Sequence, residues 1–321
     1  MIYLALPQSD APRRVPFFLA VEEWAARSLP PEDFFFIWQQ GGPTIICGRN
    51  QCIPAEVDLE RACTLGVDVV RRRSGGGAVV ADENNLMLSC VRPRNGRPVA
   101  ELFAEWSATL ASALRKAGLD ARASGRNDIC IGSRKVSGGA FYALPDRAIA
   151  HSTLLYRRPS AKLLSLLTPS RAKLESKGVK SVEARIGSLC DEGYAADMDN
   201  LRRALRECIC SATIEISPDN IREIEAIEQR YYAPDFLKLS NAPQNWKTIH
   251  LPGTGTVAGA YSTGHVSFAG DFLNCGDVDS LARSLEKLPR PWLREHLEAL
   301  KPEDTIPGMD ADTLLSLFPN P

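Results

Sequence analysis

Four short segments hold the side chains best suited to handling anions. Arg71-Arg72-Arg73-Ser74-Gly75-Gly76-Gly77-Ala78-Val79 sets three arginines ahead of three glycines. A glycine run loses the most entropy on folding. It suits a place where backbone must approach a ligand closely or offer several amides to an anion. The neighbouring arginines supply charge and forked hydrogen bonds of the kind that hold phosphate. A plain turn with solvated arginines has the same composition. Downstream, Gly125-Arg126-Asn127-Asp128 precedes Lys135-Val136-Ser137-Gly138-Gly139-Ala140. A lysine heading a small-residue strand can act as a point charge for a carboxylate or phosphate, or it can be an exposed strand lysine. His151-Ser152-Thr153-Leu154-Leu155 opens a strand with a histidine, which is either catalytic or structural. The stretch from Arg171 to Arg185 is rich in lysine and arginine and reads equally as a solvated loop.

These segments need a scaffold, and the hydrophobic spacing supplies one. Residues 15–29 carry apolar side chains at Phe18, Val21, Trp24, Ala25 and Leu29, the spacing of an amphipathic helix. Runs at 33–39 and 44–48 read as strands, 55–66 as a helix ending at Gly66, and 67–73 as a strand broken by the glycines. Strands follow at 78–81 and 85–93, and a long helix spans 99–118. Further strands read at 127–131, 135–141 and 149–157, and 198–231 is mostly helical. Strands in succession with helices interspersed predict an α+β fold. The proline-bearing stretch 234–246 reads as a linker. Beyond it, meander strands and helices at 277–288 and 291–300 form a smaller α+β unit. The division is therefore a domain of residues 1–242 and a second of residues 246–321.

Composition narrows the partners. The 321 residues hold 38 basic and 39 acidic side chains, a net charge of −1. Nothing global draws such a chain to nucleic acid or to an anionic membrane. No stretch approaches the ~18 apolar residues of a membrane span, and the first residues lack the order of a secretory signal, so a cytoplasmic location is expected. The nine cysteines are scattered, without a C-x-x-C pair, which predicts reduced thiols and no metal site.

Taken in order, the four segments resemble the lipoate–protein ligase family of the biotin/lipoate ligase superfamily. The family has an arginine pair, a serine, three glycines and Ala-Val, found here from Arg71 to Val79. It has a Gly-Arg-Asn-Asp turn and a lysine before a small-residue strand, here Gly125–Asp128 and Lys135–Ala140. His151–Leu155 matches its His-Gly-Thr-Leu-Leu strand, and Lys177 to Val182 its Lys-Gly loop. Gly270-Asp271-Phe272 resembles part of its accessory domain. The resemblance implies a catalytic domain of mixed sheets flanked by helices, plus a small C-terminal accessory domain.

It also implies a two-step reaction. Lipoate attacks the α-phosphate of ATP, with Mg2+, to give lipoyl-AMP. An acceptor lysine on a lipoyl domain of a 2-oxoacid dehydrogenase, or on the glycine-cleavage H protein, then displaces AMP. Lys135 would lie between the carboxyl and the α-phosphate as the catalytic residue. Arg72, Ser74, Gly76, Gly77, Ala78, Val79, Val80, Asn85, Asp128, Ala140, His151, Thr153 and Lys177 would contact ATP or lipoyl-AMP. The loop at 171–185 would fold over the adenylate, and removal of 246–321 would spare activation while weakening transfer. Three positions depart from the family pattern near the expected pocket. They are Ala81, Asn84 and Ser152, where the family has histidine, glycine and glycine. The alternative is an acyltransferase of the same fold using a cysteine nucleophile, Cys130 or Cys190. Gly253-Thr254-Gly255 with Ala258 fits a loose dinucleotide motif, but a hairpin rather than a helix is expected after it.

Overall fold

The structure is a computed structural model and describes residues 1–7, 12–125, 127–168, 186–238, 246–289 and 291–318. In chain order the first unit contains β1 (Ile2–Ala5), α1 (Val15–Ser28), β2 (Phe34–Trp38), β3 (Thr44–Cys47), α2 (Ile53–Glu56) and α3 (Leu59–Thr64). It continues through β4 (Asp68–Arg71), β5 (Val79–Ala81), β6 (Asn85–Pro93), α4 (Val99–Lys116), β7 (Ala121–Ser124) and β8 (Asp128–Ile131). Next come β9 (Arg134–Ala143), β10 (Arg147–Leu155), α5 (Ala161–Leu164), α6 (Met198–Ile209), β11 (Ala212–Glu215), α7 (Pro218–Glu228) and α8 (Pro234–Leu237). The C-terminal part holds β12 (Lys247–Leu251), β13 (Gly255–Ser262), β14 (His265–Gly270), α9 (Val278–Glu286), α10 (Arg294–Leu300) and α11 (Ala311–Leu317).

Eight strands form the main sheet in the order β11-β1-β2-β6-β10-β9-β8-β7. A three-stranded sheet, β4-β3-β5, stands beside it. The main sheet is mixed: β1 is parallel to β2 and β11, whereas β2, β6, β10, β9, β8 and β7 alternate direction. All five residues of β2 are buried, as a strand covered on both faces must be. One cover is α4, whose Leu102, Phe103, Trp106, Leu110 and Leu114 enter one core. The other is α1, which packs Phe18, Leu19, Val21 and Trp24 into a second core. Each such side chain, fully buried, contributes about 2–3 kcal/mol. The resulting fold is the α+β arrangement that the sequence predicts.

Several elements differ from the sequence reading. The helix α1 is not simply amphipathic: it is buried from Val15 to Ala26, because α7 covers its outer side, with Trp24 Nε1 donating to Glu223 at 2.7 Å. The helix expected at 55–66 is two short ones. Val57 between them is extended and bridges to Leu167, and Asp58 caps the second by accepting from the Arg61 amide. The mainly helical stretch 198–231 is interrupted by β11, whose four residues are all exposed and whose partner β1 lies about two hundred residues away. Ala121–Ser124 forms an edge strand that the sequence reading left out. The start of the expected linker is α8, while 239–245 lies outside the described residues.

The C-terminal part is an antiparallel meander, β12-β13-β14, packed on α9, α10 and α11 around its own core of Phe272, Leu285, Leu297, Met309 and Leu314. Gly255 opens β13, so the Gly253–Ala258 stretch forms hairpin structure, not a strand-to-helix turn. This part sits against the glycine segment. Gly270 N–H donates to Asn50 O at 2.8 Å, Asn50 Nδ2 to Asn274 Oδ1 at 2.9 Å, and Arg49 pairs with Asp279 at 2.6 Å. Among the described residues no helix is long and apolar enough to cross a membrane.

Candidate active site

The three arginines leave the end of β4 in different directions, each with its own work. Arg71 is buried and donates from Nη1 to the carbonyls of Gly48, Arg49 and Gln51, and from Nε and Nη2 to Leu237 O. Arg73 pairs with the fully buried Glu23, which Tyr231 also approaches at 2.5 Å. Arg72 turns back under the glycines. Its Nη2 donates to Gly75 O at 2.7 Å and Gly77 O at 2.9 Å, its Nη1 to Ile46 O at 2.9 Å and its Nε to Ser74 Oγ at 2.9 Å. Burial brings its guanidinium down to about 10, so it remains a cation at neutral pH. It is the brace of the loop as well as part of a cavity wall. Gly76 adopts φ +90°, a conformation open mainly to glycine. Its N–H donates to Phe272 O at 3.0 Å, and a Cβ at Gly75 would run into that same carbonyl.

A cavity of about 580 Å3 opens between this loop, strands β9 and β10, and the C-terminal part. Of the residues expected in the site, it brings together Arg72, Gly76, Gly77, Ala78, Val79, Val80, Asp128, Lys135, Ala140, His151 and Thr153. Ser74 and Asn85 are fully buried behind its wall. Asn85 accepts from the Asp82 amide at 2.8 Å. Lys177 and the whole 171–185 loop lie outside the described residues. An apolar flank comes from Leu19, Trp38, Ile46 and Met87. A pocket with apolar walls and a few convergent polar groups is the usual form of a small-molecule site.

Lys135 reaches across the wall and places Nζ 2.6 Å from Asp128 Oδ1. The ion pair holds because β8 and β9 are adjacent strands, with Asp128 opposite Gly138 and a bulge at Ile129/Cys130. The preceding Asn127 is fixed to Gly139 through both its backbone carbonyl (2.7 Å) and its side-chain amide (2.8 Å).

Nothing in the sequence points to the second, deeper polar chain behind the wall. His151 Nδ1 lies 3.1 Å from both oxygens of the buried Glu22, and its Nε2 lies 2.7 Å from Ser74 Oγ. Glu22 also accepts from Ser89 Oγ, which in turn accepts from Trp38 Nε1. The Ser-His-Glu distances match a hydrolase triad. Ser74 has no exposure, however, and its oxygen already accepts from Arg72, so no substrate can meet it as a nucleophile. The chain is a structural support for the wall. The pairing of Glu22 on α1 with His151 on β10 spans more than a hundred residues, beyond any local signal.

The departures from the family pattern have defined surroundings. Ala81 is buried in the α1 core, and Asn84 bonds to Asp82 through backbone and side chain. Ser152 reaches the cavity wall, but its hydroxyl accepts from Trp106 Nε1 of α4 at 3.1 Å. All nine cysteines are thiols, and neither Cys130 nor Cys190 is among the described cavity-lining residues. Among the described residues no three metal-ligating side chains cluster. Sequence reasoning also missed that the C-terminal part supplies wall: Gly253, Thr254, Gly255, Asp271 and Leu273 all face the cavity.

Residues 15–210 match the family model for the lipoyl protein ligase A/B catalytic domain. Among curated proteins, the chain is 28% identical over 278 residues to lipoate–protein ligase 1 of Staphylococcus aureus, covering 83% of this chain and 84% of that one. Among solved structures, P. falciparum LipL1 in complex with lipoate superposes with a TM-score of 0.76 at 20% identity, over 99% of this chain and 98% of that chain. A lipoate–protein ligase A bound with ATP gives 0.64 at 22% identity, over 74% of this chain and 99% of that one. At these identities the structural likeness speaks for the fold.

Proposed function

The chain belongs to the lipoyl protein ligase A/B catalytic-domain family, and from that premise we infer that it ligates lipoate to protein at the expense of ATP. The observation that carries this reading is Lys135, a partly buried ammonium in a single cavity with glycine-loop backbone on one side and apolar side chains on another. Two anions, a carboxylate and an α-phosphate, must be held together, and a cation between them lowers the repulsion. Lys135 is that cation. Arg72, braced by four hydrogen bonds, adds fixed positive charge beneath the loop. Gly77, Ala78, Val79 and Val80 line the nucleotide, and Asp128, Ala140, His151 and Thr153 complete the wall. Leu19, Trp38, Ile46 and Met87 provide the apolar slot that the acyl tail requires. No protein nucleophile takes part; positioning and charge carry the first step.

With the nucleotide bound, Mg2+ would neutralise charge on its phosphates. Such ions often bind through only one or two carboxylates plus phosphate, and Glu56 and Asp271 on the cavity wall fit that need. Lys177 lies outside the described residues, and we keep it as a nucleotide contact from the family resemblance alone. The acceptors are lipoyl domains of 2-oxoacid dehydrogenases and the glycine-cleavage H protein, met in the cytoplasm. Residues 1–242 form the catalytic domain and 246–321 the accessory one.

The deciding experiment is ATP–pyrophosphate exchange by the purified protein with magnesium, with and without lipoate. Lipoate-dependent exchange is the expected result. No exchange with either lipoate or octanoate would sink the reading.

A further inference from the structure

Transfer to an acceptor lysine poses a problem that activation does not. The acceptor amine is an ammonium at neutral pH, with a usual pKa of about 10.4. It must lose a proton before its nitrogen can attack. The cavity therefore needs a proton acceptor close to the acyl carbonyl.

Among the described residues, the groups on the wall that could serve are few. His151 has both ring nitrogens engaged, by Glu22 and Ser74. Asp271 accepts from the Thr256 amide at 2.8 Å and belongs to the C-terminal part. Glu56 lines the cavity from α2, an element outside the β8–β9 pair that carries Asp128 and Lys135. Asp128 is the carboxylate beside Lys135, and it already binds an ammonium group there, at 2.6 Å.

We propose that Asp128 is the proton acceptor of the transfer step, and that Lys135 occupies in the resting enzyme the place that the acceptor lysine later takes. The proposal rests on the reading of the cavity as an adenylating site. When the acid and nucleotide are bound, Lys135 turns from Asp128 towards the phosphate–carboxyl junction. Asp128 then receives the incoming ammonium and takes one proton from it. The freed electron pair on nitrogen forms the C–N bond to the acyl carbon, and the carbonyl pair moves to oxygen. As the carbonyl reforms, the C–O bond to phosphate breaks and AMP leaves with the electron pair. The nitrogen loses its second proton to the departing phosphate or to water. One carboxylate thus serves two ammonium groups in turn. The strand pairing of β8 with β9, and the double tie of Asn127 to Gly139, keep it in place.

Asp128→Asn keeps the size and a hydrogen bond but cannot accept a proton. The test compares it with the wild type in three assays on the full chain. These are lipoate-dependent ATP–pyrophosphate exchange, single-turnover transfer from preformed lipoyl-AMP to an isolated lipoyl domain, and cleavage of the same lipoyl-AMP by hydroxylamine. Hydroxylamine is unprotonated near pH 8, so it needs no proton acceptor before attack. Asp128 also lines the cavity and pairs with Lys135, so exchange and hydroxylamine cleavage fall together by what those contacts are worth, and the expected result is a transfer loss far beyond theirs. Transfer to the lipoyl domain should fall about a hundredfold or more at neutral pH. The deficit should shrink about tenfold per pH unit as the acceptor amine deprotonates by itself. Transfer at the wild-type rate overturns the proposal. So does a loss shared equally by all three assays, or one unchanged by pH, since either means Asp128 only positions Lys135. A wild-type protein without lipoate-dependent exchange would overturn the adenylation reading itself, and this inference with it.

Discussion

Lys135 lies in the space that a side chain at Gly138 would need. A Cβ built on Gly138 overlaps the Lys135 ammonium and comes 2.6 Å from its Cε. The glycine three residues after the lysine is what lets the side chain fold back along its own strand into the cavity. Gly138→Ala should therefore displace Lys135 without straining the backbone, since no positive φ is required there. Lipoate-dependent pyrophosphate exchange should fall about tenfold or more while the melting temperature barely changes. Unaltered exchange would show that Lys135 has another route to its position.

Lys135→Ala removes the cation itself. Adenylate formation should drop by about a hundred- to a thousandfold, the usual effect of losing one electrostatic contact to a transition state. The fold should survive, because the side chain is partly exposed and its ion pair joins two already paired strands. Normal lipoyl-AMP yield from a well-folded mutant would remove Lys135 from the mechanism.

Arg71 has a different role from its neighbours. Its guanidinium is spent on the carbonyls of Gly48, Arg49, Gln51 and Leu237, and burial lowers its basicity. Arg71→Leu leaves those carbonyls without their donor, each at about 1–3 kcal/mol. Four carbonyls at the low end of that range total about 4 kcal/mol, which would lower the melting temperature by roughly 8–16 °C. A thermal scan that moved by less than a degree would show that water or neighbouring amides replace it.

The C-terminal part bears on the first step more than its sequence suggests. The sequence reading expects a chain cut at 246 to activate lipoate normally. The cavity wall, however, includes Thr254, Asp271 and Leu273, and Phe272 holds the Gly76 amide. Deleting 246–321 should therefore weaken exchange as well as transfer, mainly through a higher KM for the acid. Full-rate exchange by the truncated chain would restore the earlier expectation.

Cys130→Ser and Cys190→Ser should each leave exchange and transfer unchanged, alone and together. Loss of transfer in either, with retained exchange, would revive a thioester route.

What could be read from sequence was what depends on neighbours in the chain. The glycine segment, the lysine before small residues and the strand histidine all line one cavity. Their spacing encodes backbone geometry: Gly76 needs a positive φ, and Lys135 needs a glycine beneath it. What could not be read depends on distant partners. Glu22 looks like one more polar residue on a helix until β10 places His151 against it. The four residues of β11 are exposed and carry no strand alternation; only the open edge of β1 makes them a strand. The burial of α1 on both sides likewise depends on α7, far along the chain. Arg72 lines the cavity, but its donors mostly serve the loop itself, which its place in the sequence does not reveal.

The register of β1 with β11, Ile2 against Ala212 through Ala5 against Glu215, has a consequence for synthesis on the ribosome. The antiparallel run from β8 through β9 to β10 can assemble as soon as it emerges, since its contacts are local. The edge beside β1 must wait for more than two hundred residues of chain. Pairings that close such long loops form slowly and late. Until then β1 presents unsatisfied amides and carbonyls at a free edge. The nascent chain is thus most open to aggregation before Glu215 has left the exit tunnel, and a translational pause ahead of that point should lower soluble yield more than one after it.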